Sequence, residues 1–258
     1  MWDVLKDAVF YCIQFFYNIC LDWGLAIIVI TILFRVIITP LMFKQSESSY
    51  QMQKIQPLIK QVQTKYADDP TRQQSEMQRL YAEAKFNPLA SCIPMLLQMP
   101  IFILLFQVLR DDGHVYLNSV DNCSFYNILP SLTISPSDAF AQGIGAAIPY
   151  LILLIMFAAL TFIPSLLQLK NSSDPSQRNQ TLTITVIMSV MMLFIGWGSP
   201  GGVLLFWATS SLLAIAQQQG SLAIVKSRDK KIEAELPAKP VKIEVERKEV
   251  KKRQRKKR

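Results

Sequence analysis

The chain has 258 residues, of which 51% are apolar and 18% charged, below the roughly 25% charged residues usual in soluble domains. Its net charge is +8, and 15 of its 27 Lys and Arg residues lie after Ala223. Several apolar runs approach the ~18 residues of a candidate membrane span, which excludes a soluble core and a disordered chain. The predicted fold class is all-α: a polytopic membrane protein with five transmembrane helices, a cytoplasmic antiparallel helical hairpin and an N-terminal interfacial amphipathic helix.

Residues 1–21 are predicted to form an amphipathic helix in the outer membrane interface. Apolar residues recur at helical spacing from Trp2 to Phe16, with acidic Asp3 and Asp7 between them. A signal peptide would carry basic residues there, and a simple extension of the first span is the alternative. Because no Arg-rich transit segment precedes the helix, we expect a bacterial plasma membrane rather than an organelle.

Five apolar segments are predicted to cross the membrane. Each needs about 20 residues, at a rise of 1.5 Å, to span a hydrocarbon core of ~30 Å. The segments are 24–43, 88–109, 148–169, 182–198 and 201–219. The last two are short and closely spaced, which fits a tight hairpin.

The uneven distribution of Lys and Arg among the loops sets the predicted orientation. Segment 44–86 carries seven of them, loop 170–181 carries two and tail 222–258 carries fifteen, whereas loop 110–147 carries none after Arg110. Because these segments alternate along five spans, the N-terminus is predicted outside and the C-terminus in the cytoplasm.

Residues 44–86 are polar and rich in Gln, and they are predicted to form the cytoplasmic helical hairpin. Apolar residues from Met52 to Tyr66 step by three and four, the spacing of a helix–helix seam. Pro70 suits the first turn of a returning helix. Pro57 would cost about 3 kcal/mol inside a helix, so the well-formed first helix is predicted to begin there. A solvated linker is the alternative, and the arm could contact ribosomes, partner proteins or lipid head groups.

Arg35 lies in the otherwise almost wholly apolar stretch Ile27–Met42. Lys44 marks the boundary nine residues later, which puts the Arg35 backbone about 13.5 Å deep, near the midplane of a ~30 Å core. A central Arg costs about 2.5–3.5 kcal/mol, and no Asp or Glu occurs in the five predicted spans. We therefore expect a hydrated groove that offers the charge to a transient ligand. Bonding of Arg35 to backbone carbonyls freed by prolines is the alternative.

Hydroxyl, amide and indole groups in the spans are the candidate neighbours of this arginine. They are Thr31, Gln98, Trp207, Thr209, Ser210 and Ser211.

Methionines accumulate on the second and fourth spans, where they are predicted to form a hydrophobic slide for varied apolar segments. Methionine suits such contacts because its side chain is flexible and polarisable. The alternative interpretation is that these methionines simply face lipid or fill the core. The residues are Met95, Met99, Met188, Met191 and Met192.

The tail, residues 222–258, shows no apolar period and is predicted to be disordered. Its basic end could bind anionic lipid, at ~1 kcal/mol per basic residue near the surface, or RNA phosphates by counterion release. The residues concerned are Lys251, Lys252, Arg253, Arg255, Lys256, Lys257 and Arg258.

Catalytic and metal-binding chemistry have no recognisable motif here. The four cysteines lack CxxC spacing, and the single histidine, His114, has no partner for a metal or a dyad. We predict that the chain is not an enzyme and that it has no catalytic residue, no metal site and no cofactor.

Three stretches resemble the YidC-type membrane protein insertases and their Oxa and Albino relatives. They are Ile30–Phe43 (ITILFRVIITPLMF), Asn87–Pro100 (NPLASCIPMLLQMP) and Ser199–Gln219. The resemblance covers nearly all of the chain up to about Gln219. It implies a five-helix bundle around a hydrophilic groove that is open to cytoplasm and lipid but closed outside. Since a lipobox cysteine and a large external domain are missing, the short, Gram-positive-like form is expected.

The resemblance also implies residue roles and partners. Arg35 would receive hydrophilic parts of an incoming protein, and Gln98, Gln168 and Trp207 would line the same groove, beside Ser210. The hairpin would recruit nascent membrane proteins, and the basic tail would contact the ribosome. Anionic lipids and the Sec translocon are further candidate partners.

The predicted function is therefore a membrane protein insertase that accepts hydrophilic segments at Arg35. Apolar segments would leave sideways past the second and fourth spans. The alternative is an anion or small-solute transporter that binds its substrate at Arg35, although such folds usually show repeated halves. A membrane scaffold that only gathers partners would leave Arg35 unexplained.

Overall fold

The structure is a computed structural model that describes residues 2–84, 93–110, 123–170 and 175–235. Within these ranges the regular structure is helical, apart from one isolated antiparallel bridge between Phe125 and Leu129. The helices are α1 (Trp2–Cys20), α2 (Trp23–Lys65), α3 (Pro70–Glu83), α4 (Ile93–Arg110), α5 (Pro136–Gln142), α6 (Ile144–Lys170), α7 (Pro175–Trp197) and α8 (Gly201–Glu235). The predicted all-α class is confirmed.

Two of the described helices are long and apolar enough to cross a membrane, by length and composition alone. They are α2 and the Ile144–Ile163 part of α6, while Gln98–Arg110 and Leu182–Trp197 form shorter apolar helices. The number of membrane crossings, five, therefore stays a prediction.

The N-terminal helix α1 is separate from α2. Leu21 between them has a φ of 57°, in the left-handed region that interrupts a right-handed helix. Asp22 then caps α2, because its carboxylate accepts a hydrogen bond from the amide of Leu25 at 2.7 Å. The alternative that residues 1–21 merely extend the first span is therefore wrong.

Helix α2 is continuous over 43 residues and includes both Pro40 and Pro57. The prediction that a well-formed helix begins only at Pro57 is therefore wrong. Proline removes one hydrogen bond from the helix ladder, but helical turns are already formed on both sides of it. Because propagation needs no new nucleation, this local loss does not end the helix.

Helix α3 folds back on the second half of α2. Asp69 caps α3 by accepting a hydrogen bond from the amide of Arg72 at 3.1 Å, and Pro70 occupies the first turn. Apolar side chains of both helices form a cluster that is separate from the main core. The residues of this cluster are Met52, Ile55, Leu58, Ile59, Val62, Met77, Leu80, Tyr81 and Ala84. The cytoplasmic position of this helix pair stays a prediction.

Helix α8 continues to Glu235, so the predicted disorder of 222–258 is wrong for residues 222–235. The helix is already nucleated within the apolar segment. Its extension packs against α2, and Ser221 and Val225 of α8 are buried. The basic cluster at 251–258 lies outside the described residues.

Asp229 joins the extensions of α2 and α8. Its carboxylate accepts a hydrogen bond from the Tyr50 hydroxyl at 3.0 Å and forms an ion pair with Lys54. Hydrogen bonding to the Lys54 ammonium holds the pKa of Asp229 below its usual range. These two helices therefore stay paired beyond their apolar segments.

Other helices also differ in length from the predicted spans. Helix α6 begins at Ile144 and α7 begins at Pro175, which shortens the predicted loop 170–181, and α5 lies within the predicted loop 110–147. For α7 the reason is that hydropathy marks only the apolar part of a helix, whereas the polar residues 175–181 continue it. Residues 88–92 of the predicted second span lie outside the described ranges.

Segment 123–135 covers the end of the bundle at which α8 begins. The amides of Gly201 and Gly202 donate to the carbonyls of Ile134 and Leu132 at 2.9 and 2.8 Å. Loop carbonyls thus satisfy N–H groups that have no partner within α8. A Cβ on Gly202 would lie 2.9 Å from the Leu109 side chain, so glycine permits the close approach of α4 and α8 here.

Candidate functional site

Arg35 lies on the face of α2 that packs against α8, and only 8% of its surface is exposed. Its Nε and Nη2 atoms donate to the Ser210 hydroxyl oxygen at 2.9 and 2.5 Å. Of the predicted neighbours of Arg35, Ser210 is thus brought into direct contact with it. The bond joins residues that are 175 positions apart in the sequence.

Gln217 is a further neighbour of this arginine that sequence reasoning did not select. Its side-chain amide donates to the backbone carbonyl of Arg35 at 2.7 Å and to the Thr39 hydroxyl at 2.8 Å. The available signal was its spacing from Ser210, because residues seven apart lie on the same helix face. Thr39 also donates to the Arg35 carbonyl at 2.9 Å.

The Arg35 guanidinium retains unused hydrogen-bonding capacity. It has five N–H donors, and within the described part of the chain its partner is the Ser210 hydroxyl, with no ion pair to a carboxylate. The alternative of an arginine satisfied by backbone carbonyls is therefore not what these residues show. A buried cation held in this way can still accept a ligand with acceptor oxygens.

Trp207 lies between two aromatic rings in the core. Its ring stacks on Phe102 of α4 and on Phe157 of α6, with centroid distances of 4.6 and 4.9 Å and interplanar angles of 9° and 10°. Both faces of the indole are therefore covered by protein. The stack joins α4, α6 and α8 one turn away from Ser210 on α8.

Gln98 lies at the same level of the bundle as Ser210. The Arg110 guanidinium donates to the carbonyl of Gly198 at 3.2 Å, so the end of α4 is close to the start of α8 and the two helices are antiparallel. On α4, Gln98 lies one turn from Phe102, and on α8, Ser210 lies one turn from Trp207. Both turns lead away from the end of the bundle at which α8 begins, so Gln98 and Ser210 lie at the same level.

The Gln98 amide nitrogen is buried and has no hydrogen-bond partner among the described residues. The side-chain oxygen of Gln217 is also buried, and no described residue donates a hydrogen bond to it. An unpaired buried polar group costs about 1–3 kcal/mol. Together with Arg35, Gln98 gives this level of the bundle polar groups that a ligand could satisfy, and Gln217 lies two turns farther along α8.

The remaining predicted neighbours of Arg35 differ in their surroundings. The Thr31 hydroxyl donates to the Ile27 carbonyl of its own helix at 2.6 Å and is buried. Thr209 and Ser211 are partly buried beside Ser210 on α8. The side chain of Gln168 lies outside the described residues, so its predicted place in the groove stays a prediction.

The predicted hydrophobic slide is described at four of its five methionines. Met99, Met188 and Met191 are exposed on α4 and α7, as a lipid-facing surface requires, whereas Met192 is partly buried against the main core. The side chain of Met95 lies outside the described residues.

No cluster of three or more potential metal ligands occurs within the described ranges. The Cys123 thiol is buried near Asp22, and burial together with that carboxylate raises its pKa to about 12. At neutral pH this thiol is protonated, so it is a poor nucleophile.

Comparisons with known proteins give a consistent result. A family model described as "60Kd inner membrane protein" matches residues 15–228. "Membrane protein insertase YidC" of Endomicrobium trichonymphae is 36% identical over 83% of this chain and 38% of its own length. The Haemophilus influenzae protein of the same name is 34% identical over 84% of this chain and 36% of its own length.

A solved structure also resembles this fold. It is titled "Active YidC insertase crystal structure with the first transmembrane domain resolved", and it has a TM-score of 0.63 and 29% identity. The match covers 84% of this chain and 46% of that one. The chain spans little more than a third of the length of the curated relatives that it matches.

Proposed function

The chain belongs to the 60 kDa inner membrane protein family of YidC-type insertases, and from that premise we propose that it inserts nascent proteins into a bacterial inner membrane. The resemblance noted in its sequence is thereby confirmed at the level of the family. The predicted topology, with the N-terminus outside and the C-terminus in the cytoplasm, is part of the proposal.

The observation that carries the proposal is the surroundings of Arg35. Among the described residues, the buried guanidinium is bound by the Ser210 hydroxyl alone and lies level with a Gln98 amide nitrogen that has no hydrogen-bond partner. Both groups are donors, so their natural ligands are acceptors such as the carbonyl and carboxylate oxygens of a polypeptide. We propose that hydrophilic segments of a client enter a hydrated groove at this level.

Such a groove lowers the barrier for a polar segment without a chemical reaction. In hydrocarbon each unsatisfied backbone group costs several kcal/mol, and the donors of Arg35 and Gln98 would offset part of that cost. Insertion is then driven by the client itself, since each Leu or Ile contributes about −0.3 to −0.6 kcal/mol in a membrane-spanning helix.

Release of the apolar segment is proposed to occur between α4 and α7. Met99 on α4 and Met188 and Met191 on α7 expose flexible apolar side chains. In the described residues α4 packs mainly against α1 and α8, and α7 mainly against α6. An apolar client helix could therefore pass between them into lipid without breaking the α2–α8 pair.

Reconstitution of the purified chain into liposomes tests this function. A single-spanning client with an acidic outer segment is expected to insert, as measured by protease protection of that segment, well above the level in protein-free liposomes. No increase would refute the insertase proposal. Uptake of a labelled small anion by the same proteoliposomes would favour the alternative of a transporter.

The basic tail and the α2–α3 pair are proposed to recruit the translation machinery and the client. Deleting Lys251–Arg258 should weaken ribosome co-sedimentation in a salt-dependent manner, because phosphate contacts depend on counterion release. The bundle should remain folded, since the deletion removes no described contact. Unchanged co-sedimentation, together with lost binding to anionic vesicles, would assign the tail to lipid instead.

A further inference from the structure

A crevice separates α4 from α7 at the end of the bundle where α8 begins. It has a volume of about 430 Å³. Its lining residues are Phe102, Ile103, Phe106, Gln107, Arg110, Ile195, Gly198 and Ser199. The proposed binding of polar segments does not use this space, which lies on the path proposed for release of an apolar segment.

The crevice is polar at one end and apolar at the other. Arg110 lies beside the connection between α7 and α8, where the predicted span of α8 starts, and this places it near the membrane interface. Phe106 and Phe102 lie one and two turns from it, roughly 6 and 12 Å along α4. One leaflet of a ~30 Å core is about 15 Å thick, so the crevice follows most of one leaflet.

Arg110 is suited to bind a phosphate. It is exposed, it donates to the Gly198 carbonyl through Nη1, and its guanidinium lies 5.5 Å from the Phe106 ring centroid. The other N–H groups of the guanidinium have no acceptor among the described residues. Arginine binds phosphate through paired, charge-assisted hydrogen bonds.

The volume of the crevice favours an acyl chain over a client helix. It is about 430 Å³. A helix with its side chains is about 10–12 Å across, so even a 12 Å length of it occupies roughly 1,000 Å³. A single extended hydrocarbon chain fits, whereas a helix would have to separate α4 from α7.

We propose that this crevice binds one phospholipid, with its phosphate on Arg110 and an acyl chain along Phe106, Phe102 and Ile195. The lipid fills the gap between α4 and α7 when no client is present. The site lies on the path proposed for release of an apolar segment, but lipid binding requires no step of insertion.

The test uses the full chain, without client, in bilayer nanodiscs that contain a phospholipid with a photoactivatable group in its acyl chain. Cross-linked peptides are expected to contain Phe102–Phe106 and Ile195. Arg110→Gln should lower this labelling about tenfold, the value of a lost charge-assisted hydrogen bond, and Arg110→Lys should retain more of it. Ile103→Trp, which fills the crevice, should remove it.

Ile152→Trp is the matched control, because Ile152 is exposed on α6 away from the crevice. Cross-linking of the lipid to the peptides with Phe102–Phe106 and Ile195 should be the same in Ile152→Trp as in the unchanged chain. Equal labelling of all exposed helices, or labelling that survives both Arg110→Gln and Ile103→Trp, would overturn the proposal. Since no client is present, this result is independent of whether the chain inserts proteins.

Discussion

Arg35→Leu is expected to lower the insertion of clients with acidic outer segments at least tenfold while the bundle stays folded. The substitution removes two N–H contacts that share the one Ser210 hydroxyl oxygen and that together are worth about 1.5–3 kcal/mol, as for one hydrogen bond to a charged group. It also removes a cation whose central placement costs about 2.5–3.5 kcal/mol. These opposing effects leave stability similar or higher, whereas the groove loses its charge. Protease protection in proteoliposomes and thermal unfolding measure the two effects separately.

Two further variants separate binding from architecture. Arg35→Lys retains the charge and should keep part of the insertion activity, and Ser210→Ala should change activity less than Arg35→Leu. If Arg35→Leu and Arg35→Lys both unfold the protein, the arginine is architectural and the proposed role in client binding is wrong.

Trp207→Ala is expected to destabilise the bundle by about 3–5 kcal/mol, the usual cost of removing a large core aromatic residue. The substitution removes two stacked contacts, with Phe102 and Phe157, each worth about 0.5–1.5 kcal/mol beyond buried area. Inside a membrane, helix association depends on such packing. A drop in the unfolding midpoint of the purified protein measures this loss.

Trp207→Phe should recover much of that stability, because it retains a ring between the two phenylalanines. Leu212→Ala is the control on the same helix, since Leu212 is exposed. If Trp207→Ala leaves the unfolding midpoint unchanged but impairs insertion, Trp207 lines the groove rather than stabilising the core.

The sequence indicates that Arg35 is exceptional but does not indicate which side chain binds it. Six candidate neighbours followed from composition and depth, and the structure pairs Arg35 with one of them, Ser210. Helical spacing tells which residues share a face of one helix, but not which faces of two helices meet. The hydroxyl of Thr31 shows the consequence, because it bonds to its own helix instead.

Hydropathy underestimates the lengths of α2 and α8 for a related reason. Hydropathy detects the apolar part of a helix, whereas the extensions are stabilised by contacts between distant residues. The bond between Tyr50 and Asp229 joins positions 179 apart, and no local pattern contains that information. The helix–helix contact from Met52 to Tyr66 can be predicted from the spacing of apolar residues, because its two helices are adjacent in the sequence.

Photo-cross-linking from position 209 tests the central claim most directly. A photoreactive amino acid replaces Thr209, which is partly buried next to Ser210, and a second variant carries it at the exposed Ile152. During insertion, the polar outer segment of the client should cross-link to position 209, and this product should disappear once insertion is complete. Cross-links of that segment only to position 152, or complete insertion without any product at position 209, would contradict the account.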